Sequence, residues 1–268
     1  MNLAALMIAD SRFPGGGHVH SGGVEEAVAR RLVTDEVSLA SFLLGRLRTA
    51  GALGAAFAAA ATRPDPGSPD SGSPDPGSPD PGLLGAGGPG GLGGPGSPGP
   101  GDLAPDSPAP DSPAPGRLAE LDAELDARTP SPAQRAASRA QGRGLARAAR
   151  LAWPSPALTG LLRVTPRPHH PIIVGVLVGD PFEAAQTVAY HAVTGPATGA
   201  IRLLGLDPFG VNAVLARLAG EIDAVAEAAA RHADTDPVDL PAPGSPGLDL
   251  LAEAHDRHHR EEVRLFVS

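Results

Sequence analysis

Apolar residues recur three and four positions apart through most of this chain, which is the spacing of one helix face. Residues 2–9 form a short apolar turn. Residues 21–33 read as a helix with Ser21 at its N-cap and Glu25 and Glu26 in its first turns. Thr34 stands at an N-cap-like position before 35–62, where Val37, Leu39, Phe42, Leu43, Leu47 and Leu53 keep near-helical spacing. Further on, Leu118, Leu121 and Leu125 share a face, and the run to Trp153 opens with proline at the first helical position. A helix starts at 181, and Gly195-Pro196 is expected to end or kink it. The stretch from Asp207 reads as one amphipathic helix with Val211, Val214, Leu215, Leu218, Ile222 and Val225 on its apolar side. The β-branched run "PIIVGVLVG" at 171–179 has the propensity of a strand, but no second strand exists for it to pair with. It is therefore read as a buried helix, and the fold class as all-α.

One segment breaks the pattern. Residues 64–116 hold 16 of the 31 prolines and 15 of the 35 glycines, in five-residue units such as PDPGS and APDSP. Such a segment cannot bury enough apolar surface to offset the entropy of ordering it. The chain is accordingly read as one helical-bundle domain, 1–63 with 117–254, interrupted by a disordered Pro/Gly/Asp/Ser-rich insertion. Residues 255–268 read as a mobile, charged C-terminal tail.

Composition narrows the chemistry. There is no cysteine and no lysine, since all 21 basic residues are arginine. Thiolate chemistry, disulfides, a P-loop lysine and Schiff-base catalysis are excluded. The net charge of −9 is mostly local: without the seven aspartates of 64–116 it is about −2. With a nearly neutral body, 3% aromatic residues and no basic stripe, neither nucleic acid nor a membrane is an expected partner. The N-terminus lacks the basic and apolar regions of a signal peptide, which makes the cytoplasm the expected location.

The candidate chemistry gathers in "RFPGGGHVHSGGVEEAV", residues 12–28. Its glycines do not make G-x-G-x-x-G and follow no strand, so a nucleotide loop is not supported. Pro14 and the glycines behind it make a bend where backbone approaches backbone, or a partner, closely. His18 and His20 point the same way if the loop is extended, which makes them candidate metal ligands, but two ligands are an incomplete site. His169, His170, His255, His258 and His259 are further candidates, the last three on one face if helical. Adjacent Glu25 and Glu26 diverge on a helix and make a poor acid–base pair, and no G-x-S-x-G is present. No catalytic constellation emerges, so the protein is not expected to be an enzyme.

The same residues resemble the N-terminal signature of the UreF-type urease accessory proteins, F-P-x-G-x-[FY]-x-x-S-x-G-L-E. Phe13, Pro14, Gly16, Ser21, Gly23 and Glu25 match it; His18 replaces the aromatic and Val24 the leucine. Gly142 and Arg143 match the family's glycine-arginine helix, and His170, Pro171, Gly175, Arg202 and Leu203 match its later segment. The glutamine-rich continuation is largely lost, with Asn212 where a glutamine is usual. The composition is similar to the high-GC, actinobacterial branch. The resemblance implies an all-α scaffold that binds a UreD/UreH-type accessory protein, recruits a UreG-type GTPase and dimerises, so that nickel reaches apo-urease. It implies no cofactor of the chain's own. The expected partner-binding residues are Phe13, Pro14, Gly16, His18, His20, Ser21, Gly23, Glu25, Arg143 and Arg202, with Val263, Leu265 and Phe266 as apolar anchors in the tail. The competing reading is a histidine-based nickel carrier built on His18 and His20.

Overall fold

Serine or aspartate followed directly by proline opens five of the α-helices, and this repeated start sets many of the boundaries of the fold. The computed structural model describes residues 3–10, 13, 22–63 and 116–265, with side chains as far as 258. In order, the helices are α1 (Leu3–Ala9), α2 (Val24–Ala29), α3 (Glu36–Arg46), α4 (Ala52–Ala60), α5 (Gly116–Ala127) and α6 (Pro132–Ala152). They continue as α7 (Pro156–Val164), α8 (His170–Val178), α9 (Pro181–Leu204), α10 (Pro208–Arg217), α11 (Ala219–Ala230) and α12 (Pro246–Leu265). The side chains of Ser131, Ser155, Asp180 and Asp207 each accept a backbone N–H in the first turn, ahead of a proline whose missing donor costs nothing there. Among the described residues there is no strand, so the all-α reading holds and 171–179 lies in a helix. No helix among these residues is long and apolar enough to cross a membrane.

Several expected boundaries shift. Asp35, not Thr34, caps α3, in a reciprocal pair with Ser38. The helix expected over 21–33 is only Val24–Ala29; its N-cap is Gly23, without a side-chain bond, and Arg31 is left-handed at φ 59°. Between α3 and α4 the helix widens to a π turn over Leu47–Gly51. Gly195-Pro196 does not end α9, which runs through it to Leu204. The helix expected from Asp207 onward is interrupted at Leu218, between α10 and α11. The insertion, apart from Gly116 at the start of α5, lies outside the described residues, as do Pro14, Gly16, His18, His20, Ser21 and Phe266. Residues 255–265, read from sequence as part of a tail, are the last turns of α12.

The described residues form one body around α4 and α9. Every residue of α4 from Leu53 to Ala60 is buried. One side of it joins Ile172, Ile173 and Val188 in the first apolar cluster; the other joins Val193, Ile222 and Ala226 in the second. Small residues make this possible: a Cβ on Gly175 of α8 would stand 2.3 Å from the Ala58 carbonyl oxygen. The core gains its energy from the larger anchors, Phe57, Leu39, Leu43, Leu121 and Leu161, each worth roughly 1.5–3 kcal/mol when buried.

Candidate functional site

The glycine turn ahead of α2 is fixed by its backbone and by what lies beneath it. Gly22 and Gly23 are left-handed, with φ of 61° and 90°, a region that other residues enter only at a cost. A Cβ on Gly22 would stand 2.8 Å from the Pro196 ring and 3.0 Å from the Arg46 guanidinium carbon. Arg46, in the last turn of α3, donates from Nη1 to the Gly22 carbonyl at 2.8 Å and from Nε to the Ala192 carbonyl at 2.9 Å. Ala192 lies four residues before Pro196, so its carbonyl is the one that a prolyl nitrogen leaves without a donor. Arg46 supplies that missing donor, and α9 continues. Burial pushes the Arg46 guanidinium down to about 10, which leaves it charged near neutrality, with no carboxylate paired to it among the described residues.

α12 closes over α2 from the other side. Leu251 Cβ and a Leu248 methyl lie 3.7 and 4.0 Å from where a Cβ of Gly23 would be. Glu26 is buried on α2, where it accepts from Arg30 Nε at 2.6 Å and faces His258 Nδ1 at 3.2 Å. Burial favours the neutral carboxyl, but the bonds from Arg30 and His258 outweigh it and hold Glu26 below its ordinary value. Glu25 faces His255 at 3.8 Å, an ion pair only when that imidazole is protonated. The opposite side of α12 reaches the start of α6. There Glu253 accepts from Ser131 Oγ at 2.5 Å and Ala133 N–H at 2.9 Å, and Asp249 accepts from Gln134 at 2.9 Å. One helix thereby ties the glycine turn to the beginning of α6, a long helix carrying five arginines.

The other sequence-derived residues disperse. Phe13 stacks on Trp153, which follows α6, with ring centroids 5.5 Å apart. Arg143 on α6 and Arg202 in the last turn of α9 are exposed. Val263 and Leu265 fall in the final turns of α12, with side chains outside the described residues. His169 is buried between Asp126 (Nε2 to Oδ1, 2.8 Å) and Ser138 (Nδ1 to Oγ, 3.0 Å). This Asp–His–Ser chain is a strut: the Ser138 oxygen also accepts the His170 N–H at 3.3 Å, at the N-terminus of α8. His170 and His191 lie 5.4 Å apart, and His191 Nε2 donates to the Ile8 carbonyl at 3.1 Å. Burial pushes them down to about 3 and about 4, so both are neutral. Among the described residues, no group of three or more His, Asp and Glu comes together to hold a metal ion.

A family model described as UreF matches residues 33–219. Similarity to curated proteins extends over the whole length. The urease accessory protein UreF of Mycobacterium sp. (strain JLS) is 40% identical over 269 residues, covering 98% of this chain and 97% of that one. The chain belongs to the UreF family. Its counterpart in Mycolicibacterium vanbaalenii is also 40% identical, over 273 residues that cover 100% of this chain and 99% of that one. That of Mycobacterium tuberculosis (strain H37Rv) is 38% identical over 276 residues, with coverage of 100% and 99%.

Within this UreF chain the residues that matched the family pattern divide by environment. A Cβ on Gly142 would lie 2.0 Å from the Pro168 carbonyl oxygen, and Gly175 is equally confined, so both are packing positions. Arg143, Arg202 and Leu203 face outward. Sequence reasoning missed that Gly22, Arg46 and Pro196 come together, and that Glu26 meets His258. A proline inside a helix signals that some donor must reach the fourth residue before it, but nothing in the sequence says that Arg46 is that donor.

Proposed function

We propose that this protein is a urease accessory scaffold that binds a UreD/UreH-type protein, recruits a UreG-type GTPase and, as a homodimer, supports nickel insertion into apo-urease. The observation that carries this reading is identity of about 40% along essentially the full chain to proteins named urease accessory protein UreF. The scaffold turns nothing over, works in the cytoplasm, holds no cofactor of its own, and treats nickel as cargo of the complex. The glycine turn, braced by Arg46 and α12, presents a preformed surface, and little ordering cost remains to be met on binding. Gly23 and Glu25 belong to that surface, and Phe13, Val263, Leu265 and Phe266 are further contact residues that the reading assigns to partners.

The test is co-purification with purified UreD-type and UreG-type partners, by size exclusion with light scattering, alongside activation of apo-urease. Removing 259–268 leaves the His258–Glu26 contact in place. Loss of the complex on that truncation locates an interface on the end of α12, whereas an intact complex moves that interface elsewhere. If the full chain forms no complex and activates no urease, the scaffold reading fails. Stoichiometric nickel binding, weakened as pH falls and abolished by His18→Ala with His20→Ala, would then establish the carrier reading.

A further inference from the structure

Between Asp126 and Asp180 the chain carries eight arginines and no carboxylate, although its net charge is −9. The near-neutral average conceals this segregation, and the expectation that there is no basic stripe is corrected by α6. Arg139, Arg143, Arg147 and Arg150 succeed one another at four, four and three residues, so they share one side of that helix. The adjoining face of the helix is buried through Gly142, Leu145, Ala146 and Ala149. Arg139 is committed to Asp122 at 2.9 Å and Asp126 at 3.0 Å. Arg143, Arg147 and Arg150 are exposed and have no carboxylate partner among the described residues. Arg163 and Arg167 are exposed in the same way, and Arg167 lines an open groove with Arg135 and Arg139.

The row has an apolar neighbour. Leu151 follows Arg150, lies one turn beyond Arg147, and is 88% exposed. A leucine left in water beside guanidinium groups is what the centre of a protein interface with a charged rim looks like before its partner arrives. It offers nothing to a phosphate backbone, and the neighbouring Trp153 is half-buried in its stack with Phe13. Guanidinium forks suit carboxylates in bidentate pairs, which fix geometry as well as charge.

We propose that the outer face of α6, made of Arg143, Arg147, Arg150 and Leu151, docks a protein partner through a face rich in carboxylates around an apolar spot. This rests on the scaffold reading only for the choice of proteins to test first. The charge row sets the rate and register of encounter, and Leu151 adds the desolvated contact.

The experiment uses the full chain as wild type, R143E/R147E/R150E, R143K/R147K/R150K and L151S. Each is measured against the UreD-type protein, the UreG-type protein and apo-urease at low and moderate salt, with circular dichroism to establish that α6 is intact. The expected result is at least a tenfold weakening toward one partner for the glutamate variant and a several-fold weakening for L151S. The lysine variant should fall between, with affinity for wild type dropping as salt rises. Unchanged affinities for every partner overturn the proposal. So does loss of self-association alone, which would make a second copy the occupant, or tighter binding of a 20-base-pair DNA duplex than of any protein. If wild type binds none of the three proteins, the scaffold reading falls separately. An acidic 12-residue peptide with a central leucine then decides: binding lost in the glutamate variant supports the face, and no binding by wild type overturns it.

Discussion

A single missing methyl decides how closely α6 approaches the turn before α8. At Gly142 the obstacle is a carbonyl oxygen of the main chain, which cannot rotate aside as a side chain would. Gly142→Ala is therefore expected to destabilise the protein by about 2–4 kcal/mol, read as a lowered urea midpoint. Gly160, in the middle of α7 with no neighbour near its absent Cβ, is the control. Gly160→Ala should stabilise the protein by about 0.5–1 kcal/mol through helix propensity alone, read as a raised urea midpoint. Both glycines sit inside helical patterns, and neither local sequence says what faces the missing methyl. Arg46 makes the same point from the side of polarity: Arg46→Ala leaves the Gly22 and Ala192 carbonyls without their donor. A loss of about 2 kcal/mol is expected, with little recovered by lysine, whose single ammonium cannot span both positions.

At the scale of elements, α9 and α12 depend on contacts that their own sequences do not contain. Proline in a helix interior usually costs about 3 kcal/mol. In α9 the Arg46 bond offsets part of this, so Pro196→Ala should change stability by less than about 1 kcal/mol on its own. In the Arg46→Ala background it should recover about 1–2 kcal/mol, because the new N–H reaches the stranded Ala192 carbonyl; a double-mutant cycle reads the coupling. The junction of α2 and α12 is governed by Glu26, whose folded-state pKa lies below its ordinary 4.5. A depressed carboxylate contributes stability above the ordinary value and loses it as pH falls through the folded value. The gap in thermal midpoint between wild type and Glu26→Gln should accordingly be widest near neutrality and close as pH drops below about 4.5. A gap that persisted unchanged in acid would remove the charge from the argument.

Across the whole molecule, the neutral pair His170 and His191 sets the acid limit. Both are held well below 6.5 by burial, at about 3 and about 4. From pH 6.5 downward the unfolded chain takes up protons that the folded one refuses, so stability falls with pH across that interval. A loss on the order of 2 kcal/mol per histidine is expected by about pH 5. The thermal midpoint measured from pH 7 to 5 should fall, and His191→Gln, which keeps a donor for the Ile8 carbonyl, should make the slope measurably shallower without abolishing it, since His169 and His170 are also held low. The α6 face belongs to this scale as well, since net charge summed over the chain gives no sign of it.

What the sequence determined by itself was the class of the fold and the approximate places of its helices. Periodicity of three and four, serine or aspartate before proline, and the lack of any strand for 171–179 to pair with are local or nearly local signals. The family was legible too, because Phe13, Gly23, Glu25, Gly142 and Gly175 keep their spacing. Only the tertiary structure decided that α9 continues through Pro196, that Gly22 rests on Arg46, and that Glu25 and Glu26 face histidines more than two hundred residues away. Local rules end a helix or cap it with the nearest suitable residue. A donor or carboxylate brought in from another element can override them, and where such a group arrives is set by packing, which no window along the chain records.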